Sequence, residues 1–219
     1  MLHFGILTPY INDFLIGAAY TLLLSSVGVT GSFVLAVPGV AARLAPLRPL
    51  SLAVTAYVHL LRNTPLLVLL YVLYFGLGSI GLRLDSVEAG CLGLTLNSAA
   101  YTIEIYRGGI VGISSGQIEA SNALGLSAAQ RWRYIILPQA VRIAFYPLGN
   151  QVIQVVLGSS LAVAIAGPEL TSATYSVGAL TYRYFEAFCV AAVMYFLLVQ
   201  LIGVGWKAIG ALAFPQYQR

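Results

Sequence analysis

Residues 118–140 read IEASNALGLSAAQRWRYIILPQA, and this stretch decides how the rest of the chain folds. It places Glu119, Arg131 and Arg133, a glycine at 125 and a proline at 138 in a sequence that is 59% hydrophobic and only 8% charged. On both sides lie apolar runs of about 20 residues, the length that matches the roughly 30 Å hydrocarbon core of a bilayer. The stretch cannot span; its neighbours can. With a mean hydropathy of +0.89, the 219 residues read as one polytopic all-α membrane domain rather than a soluble core.

Length and apolarity predict about five spanning helices, near 13–38, 52–76, 86–106, 143–166 and 187–209. Basic residues collect in short cytoplasmic loops. With the N-terminus outside and the C-terminus inside, the cytoplasmic side carries Arg43, Arg48, Arg107, Arg131, Arg133, Arg142, Lys207 and Arg219, and the outer loops only Arg83 and Arg183. The net charge of +4 is thereby a consequence of topology, and no basic cluster is left over for a nucleic acid. Cys91 and Cys189, the only cysteines, sit in or beside apolar runs without ligand spacing and read as small packing residues. The N-terminus MLHFGILTPYIND has neither the cationic start nor the cleavage site of a removable signal peptide.

The opening stretch belongs to a cytoplasmic segment of about 107–140 with the grammar of two helices. Ser114 with Gln117, and Ser127 with Gln130, have the spacing of capping boxes. Gly125 sits where a first helix ends in a left-handed cap, and Pro138 stops a second at about Leu137. The expectation is a helix over about 116–124, a turn, and a helix over about 128–137. On residue types alone this pair could lie on the inner membrane surface, Arg131 and Arg133 toward lipid headgroups.

Polar side chains inside spans are expensive and face protein or a cavity. Asn97, Tyr101 and Glu104 share one face of the third expected span, and Gln151, Gln154 and Gly158 one face of the fourth; with Ser159 these are the candidate translocation lining. Helix-to-helix hydrogen bonding is the other role open to Asn97 and Ser98, and an ion pair with Arg107 the other role open to Glu104. Arg62, roughly 21 Å along the second expected span from Arg48, has three outcomes open: snorkelling, pairing with Glu104 or Glu169, or facing water. Pro65 should kink that span. Pro168 and Glu169 fit the first turn of a short outer helix, with a gate or receptor contact as the alternative role for Glu169.

A resemblance now becomes specific. Glu119-Ala120-Ser121, three residues, Gly125, nine residues, Ile135, one residue and Leu137-Pro138 resemble the EAA loop of the membrane subunits of ABC importers, with Ser121 in place of the second alanine. Arg62-Asn63-Thr64-Pro65-Leu66-Leu67, LNSAAYTIEIYRGGI at 96–110, PLGNQ at 147–151 and GPELT at 167–171 are similar to the polar amino acid permease branch of that family over nearly the whole chain. The resemblance implies a type I ABC importer permease fold, a second permease subunit, two ATP-binding subunits that hold ATP and Mg, an extracytoplasmic solute-binding protein, an amino acid substrate and a bacterial inner-membrane location. It also implies a docking helix over Gln117 to Leu124, with Glu119, Ala120, Ser121, Leu124, Gly125, Leu137 and Pro138 coupling the spans to the ATPase. The chain has no G-x-x-x-x-G-K-[ST] phosphate loop of its own, so it is expected to be a transport subunit that binds no cofactor and hydrolyses no ATP. Where the branch commonly shows Lys-Asp-Thr-Ser-Leu, this chain has Leu157-Gly158-Ser159-Ser160-Leu161, so substrate contacts made by that cation and carboxylate do not carry over. The competing class is a channel or secondary transporter driven by an ion gradient, with Glu104 as its acid; a membrane scaffold without transport is a third.

Overall fold

The computed structural model describes residues 2–214, so Arg219 lies outside the described residues. Among them every regular element is helical. A 3-10 turn, Phe4–Tyr10, leads into α1 (Ile11–Arg43). Then follow α2 (Arg48–Arg62), α3 (Leu66–Ser79), α4 (Ser86–Val111), the short α5 (Ser115–Ala123), the long α6 (Ala128–Ile165), α7 (Leu170–Thr181) and α8 (Tyr184–Ala213).

Helix α1 is the spine. Three buried clusters are strung along it: Phe14 with Leu170, Val177 and Ala187; Leu24 with Leu70, Leu94 and Val155; and Ala36 with Val58, Leu61 and Ile103. Among lipid tails apolar contact is not driven by water, so helices associate by close packing, and small residues permit it. The α1–α4 contact shows this: a Cβ at Gly28 would lie 3.0 Å from Leu94 Cβ, and one at Gly31 2.7 Å from Thr95 Cγ2. Helix α4 opens with a capping box in which Asp85 Oδ1 accepts from Glu88 N at 2.8 Å and Glu88 Oε2 from Asp85 N at 2.9 Å.

By length and composition α1, α6 and α8 can each cross a membrane, and α2 with α3 can together form a fourth span. The remaining expected span is α4, whose 26 residues reach about 39 Å but carry the polar face and the charged Glu88, Glu104 and Arg107 that set it below α1, α6 and α8 in apolarity. The pair α2–α3 corrects the expected kink at Pro65: the two halves are bent by 105° across Asn63-Thr64-Pro65. Proline cannot donate, and it drives the residue before it out of the helical region. The broken end survives because its free carbonyls are taken, Leu60 O by Thr64 Oγ1 at 2.7 Å, Leu61 O by Asn97 Nδ2 at 3.2 Å and Arg62 O by the Tyr101 hydroxyl at 3.3 Å.

A second correction concerns Pro138. It does not end a helix. Residues Trp132–Ile136 widen into a π turn, with Leu137 N donating to Trp132 O, and the helix runs on through Leu137–Gly158. The widening removes the clash that a proline ring makes with the carbonyl four residues back. The fourth expected span, 143–166, is therefore the C-terminal part of a 38-residue helix, whose last residues, Ser159–Ile165, tighten to 3-10 before Ala166 ends it at φ +57°.

Candidate functional site

Two places carry the polar residues singled out by sequence. The first is a cavity of about 580 Å³ between α4, α6 and the start of α3. Asn97, Ser98 and Tyr101 line it from α4, and Gln151, Gln154 and Gly158 from α6. Gln151 Nε2 donates to Ser98 Oγ at 3.2 Å, tying the two walls. Asn97 and Tyr101, which line this cavity, also cap the broken end of α2.

Ser159 is not part of that wall. It is fully buried, with its hydroxyl donated to Val156 O at 2.7 Å, and the wall continues instead through Leu157, Ser160 and Leu161. On a helix a step from Gly158 to Ser159 turns the side chain by about 100°, away from the face that Gln154 and Gly158 share.

Glu104, one turn beyond Tyr101, lies against two smaller cavities and is held by three guanidinium groups. Arg107 takes it bidentately at 2.8–3.2 Å, Arg43 Nε lies 3.6 Å from Oε1, and Arg62 Nη1 4.0 Å from Oε2. Arg62 thus pairs with Glu104 rather than Glu169, and its guanidinium also lies over the Tyr101 ring, 5.2 Å from the centroid. Sequence reading missed Arg43 here. Sixty-one positions separate it from Glu104, and no local pattern signals a contact across helices.

The second place is α5. Its reversal is a Schellman motif: Gly125 has φ +71°, Leu126 N donates to Ser121 O at 3.1 Å, and Gly125 N to Asn122 O at 3.0 Å. The Ser127–Gln130 capping box is formed, at 2.8 and 3.3 Å. The one expected at Ser114 is not: Ser114 occupies the N-cap position without a side-chain bond, because Gln117 is engaged elsewhere. Its Oε1 accepts from Gln139 Nε2 at 2.6 Å, and Arg131 hydrogen-bonds Asn122. Ser121 is buried, its hydroxyl donated to Ile118 O at 2.6 Å, and beneath the loop Ile113, Ile136 and Ala140 form a small apolar cluster. Glu119, Ala120 and Gly125 are left exposed, and Leu124 is 79% exposed; Leu137 and Pro138 are exposed on the adjoining helix.

Glu169 is the N-cap of α7, so that helix starts at Leu170, two residues later than expected. It is fully buried and accepts from Thr171 N at 2.7 Å, Ser172 N at 2.8 Å and the Tyr195 hydroxyl at 2.8 Å, fastening α7 to α8.

A bundle that surrounds amide side chains with helices long and apolar enough to cross a bilayer belongs to the class of polytopic membrane proteins. Within that class the assignment is direct: residues 28–211 match the family described as binding-protein-dependent transport system inner membrane component, and the chain belongs to it. It is a permease of the ABC transporter type. Relatives include the probable glutamine ABC transporter permease protein GlnM of Bacillus subtilis (strain 168), 38% identical over 92% of this chain and 93% of that one. The histidine/lysine/arginine/ornithine transport system permease protein HisM of Escherichia coli (strain K12) is 33% identical over 83% of this chain and 81% of that one. Among solved structures, one described as an amino acid ABC transporter with histidines superposes with a TM-score of 0.91 at 31% identity, covering 95% of this chain and 98% of that one. The inward-facing MetNI methionine ABC transporter shares the fold, with a TM-score of 0.77 at 23% identity over 94% of this chain and 98% of that one.

Proposed function

We propose that this chain is the permease subunit of a binding-protein-dependent importer of polar amino acids, paired with an identical or homologous permease in the bacterial inner membrane. Residues 1–219 form one permease domain, N-terminus outside and C-terminus inside, crossed by five spans once α4 is counted, with a cytoplasmic loop over about 107–140. ATP and Mg are held by two separate ATP-binding subunits, and a solute-binding protein delivers the substrate. The relatives' names support an amino acid as cargo, and the uncharged amides of the cavity support a polar one.

The observation that carries the reading is mechanical. Helix α6 is one rod that bears, at Arg131 and Gln139, the bonds that clamp α5 and, at Gln151 and Gln154, the cavity wall. Gln139 and Gln151 are 12 residues apart, about 18 Å along the axis. An ATP-binding subunit that grips the exposed Glu119, Ala120 and Leu124 moves α5, and α6, which runs on as one helix past Pro147, carries that movement to the cavity. The ion-gradient alternative is weakened by the same geometry, since Glu104 is already engaged by three arginines.

The test is to tag the chain in its native membrane, purify it in mild detergent, and identify its companions by mass spectrometry before measuring uptake in liposomes. An ATP-binding subunit in the complex, with uptake that needs both ATP and a solute-binding protein, supports the reading. A chain that purifies alone and transports on an ion gradient overturns it.

A further inference from the structure

The cluster around Glu104 is not neutral: three guanidiniums face one carboxylate within 4.0 Å, a surplus of two positive charges in a site where Glu104 is only 16% exposed. A surplus of cations inside a bundle, partly withdrawn from water, marks a functional group rather than a stabilising one. The three arginines are not equivalent. Arg107 spends its donors on Glu104, and Arg43 also binds Thr55. Arg62 is the loose member. Its side chain is 43% exposed, its only acid lies at 4.0 Å, and it donates no side-chain hydrogen bond among the described residues. It opens on a cavity of about 270 Å³ shared with Val58, His59, Asn63, Tyr101 and Glu104. Tyr101, on whose ring Arg62 rests, is also a wall of the larger amide-lined cavity.

We infer that Arg62 is the site that receives the carboxylate of the transported solute as it passes Tyr101, an inference that rests on the amino acid reading above. A guanidinium presents two parallel donors that match a carboxylate, and its attraction is strengthened away from bulk water. The surplus of two means that the arriving carboxylate, which lowers it to one, need not displace Glu104. The amides of Gln151 and Gln154, on the far side of Tyr101, have no charge with which to perform this step.

The test uses the assembled permease–ATPase complex. First the radiolabelled amino acid it takes up is identified in liposomes with ATP and the solute-binding protein; then, in nanodiscs without binding protein, equilibrium binding is compared for that amino acid and for its α-carboxamide, which keeps the side chain and lacks the carboxylate. Wild type should prefer the acid. Arg62→Gln should weaken acid binding about tenfold to a hundredfold, the loss expected for a charge-assisted hydrogen bond, down to the level of the amide. Arg62→Lys should restore part of the preference. Equal binding of acid and amide by wild type overturns the inference whatever the variants do, and so does an Arg62→Gln complex that keeps the preference or loses both ligands alike. A complex that supports uptake of no amino acid overturns the functional reading, and this inference with it.

Discussion

The reversal at Gly125 offers the sharpest perturbation, because its geometry isolates one effect. A Cβ at this position meets nothing within 4 Å, so a substitution adds no clash; it acts only through the backbone, which is held at φ +71°. The left-handed conformation costs an L-residue roughly 1–2 kcal/mol, less for asparagine and more for a β-branched side chain. That cost falls on the two bonds that close the turn, Leu126 N to Ser121 O and Gly125 N to Asn122 O, and not on the bundle, since the site is exposed. A penalty of one to two kcal/mol lowers the ratio of formed to open turn by a factor of about 5–30. Substrate-stimulated ATP hydrolysis by the assembled transporter should therefore fall step by step from wild type through Gly125→Asn and Gly125→Ala to Gly125→Val, with the yield of folded permease unchanged. Hydrogen exchange at the Leu126 amide should quicken in the same order. Full activity of the valine variant, or asparagine ranking below it, refutes the argument that a positive φ is what this glycine supplies.

Other outcomes follow from single contacts. Gly109→Ala puts a Cβ 2.6 Å from Ala140 O, and by forcing α4 from α6 should destabilise the bundle by about 1–3 kcal/mol; Gly108→Ala, whose Cβ meets nothing within 4 Å, should be near neutral in the same detergent-denaturation assay. Glu169→Ala removes the α7 cap and takes from the Tyr195 hydroxyl its carboxylate acceptor, a loss of about 1–2 kcal/mol that an unchanged melting temperature would contradict. Glu104→Gln leaves three guanidiniums without their carboxylate and should cost about 2 kcal/mol or more, part of which Glu104→Gln with Arg43→Gln should recover.

What was legible in the sequence was what local chemistry decides. The Ser127–Gln130 box, the left-handed Gly125 and the polar faces of α4 and α6 depend on spacings of three to five residues, and each stands in the structure. The errors arose where distant partners, or an irregular turn in the helix itself, overrule a local signal. Pro65 breaks its span instead of kinking it because Asn97 and Tyr101 take the role of missing turn partners from another helix. Pro138 fails to stop α6 because a π turn makes room for its ring. Ser114 lacks its reciprocal cap because Gln117 finds Gln139 instead. Arg43 could be counted as a topological cation from sequence, but its place beside Glu104 depends on α1 and α4 lying together.

The central claim is that α5 is where an ATP-binding subunit takes hold. Its most direct test replaces exposed Ala120 with cysteine, after Cys91→Ser and Cys189→Ser, and applies a short bifunctional thiol cross-linker to intact membranes, with the product identified by mass spectrometry. The account predicts a cross-link from position 120 to an ATP-binding subunit, with a yield that changes when ATP is added. A cysteine at 120 that labels with lipid-soluble probes and joins no ATP-binding subunit would contradict it, and would place α5 on the membrane surface instead.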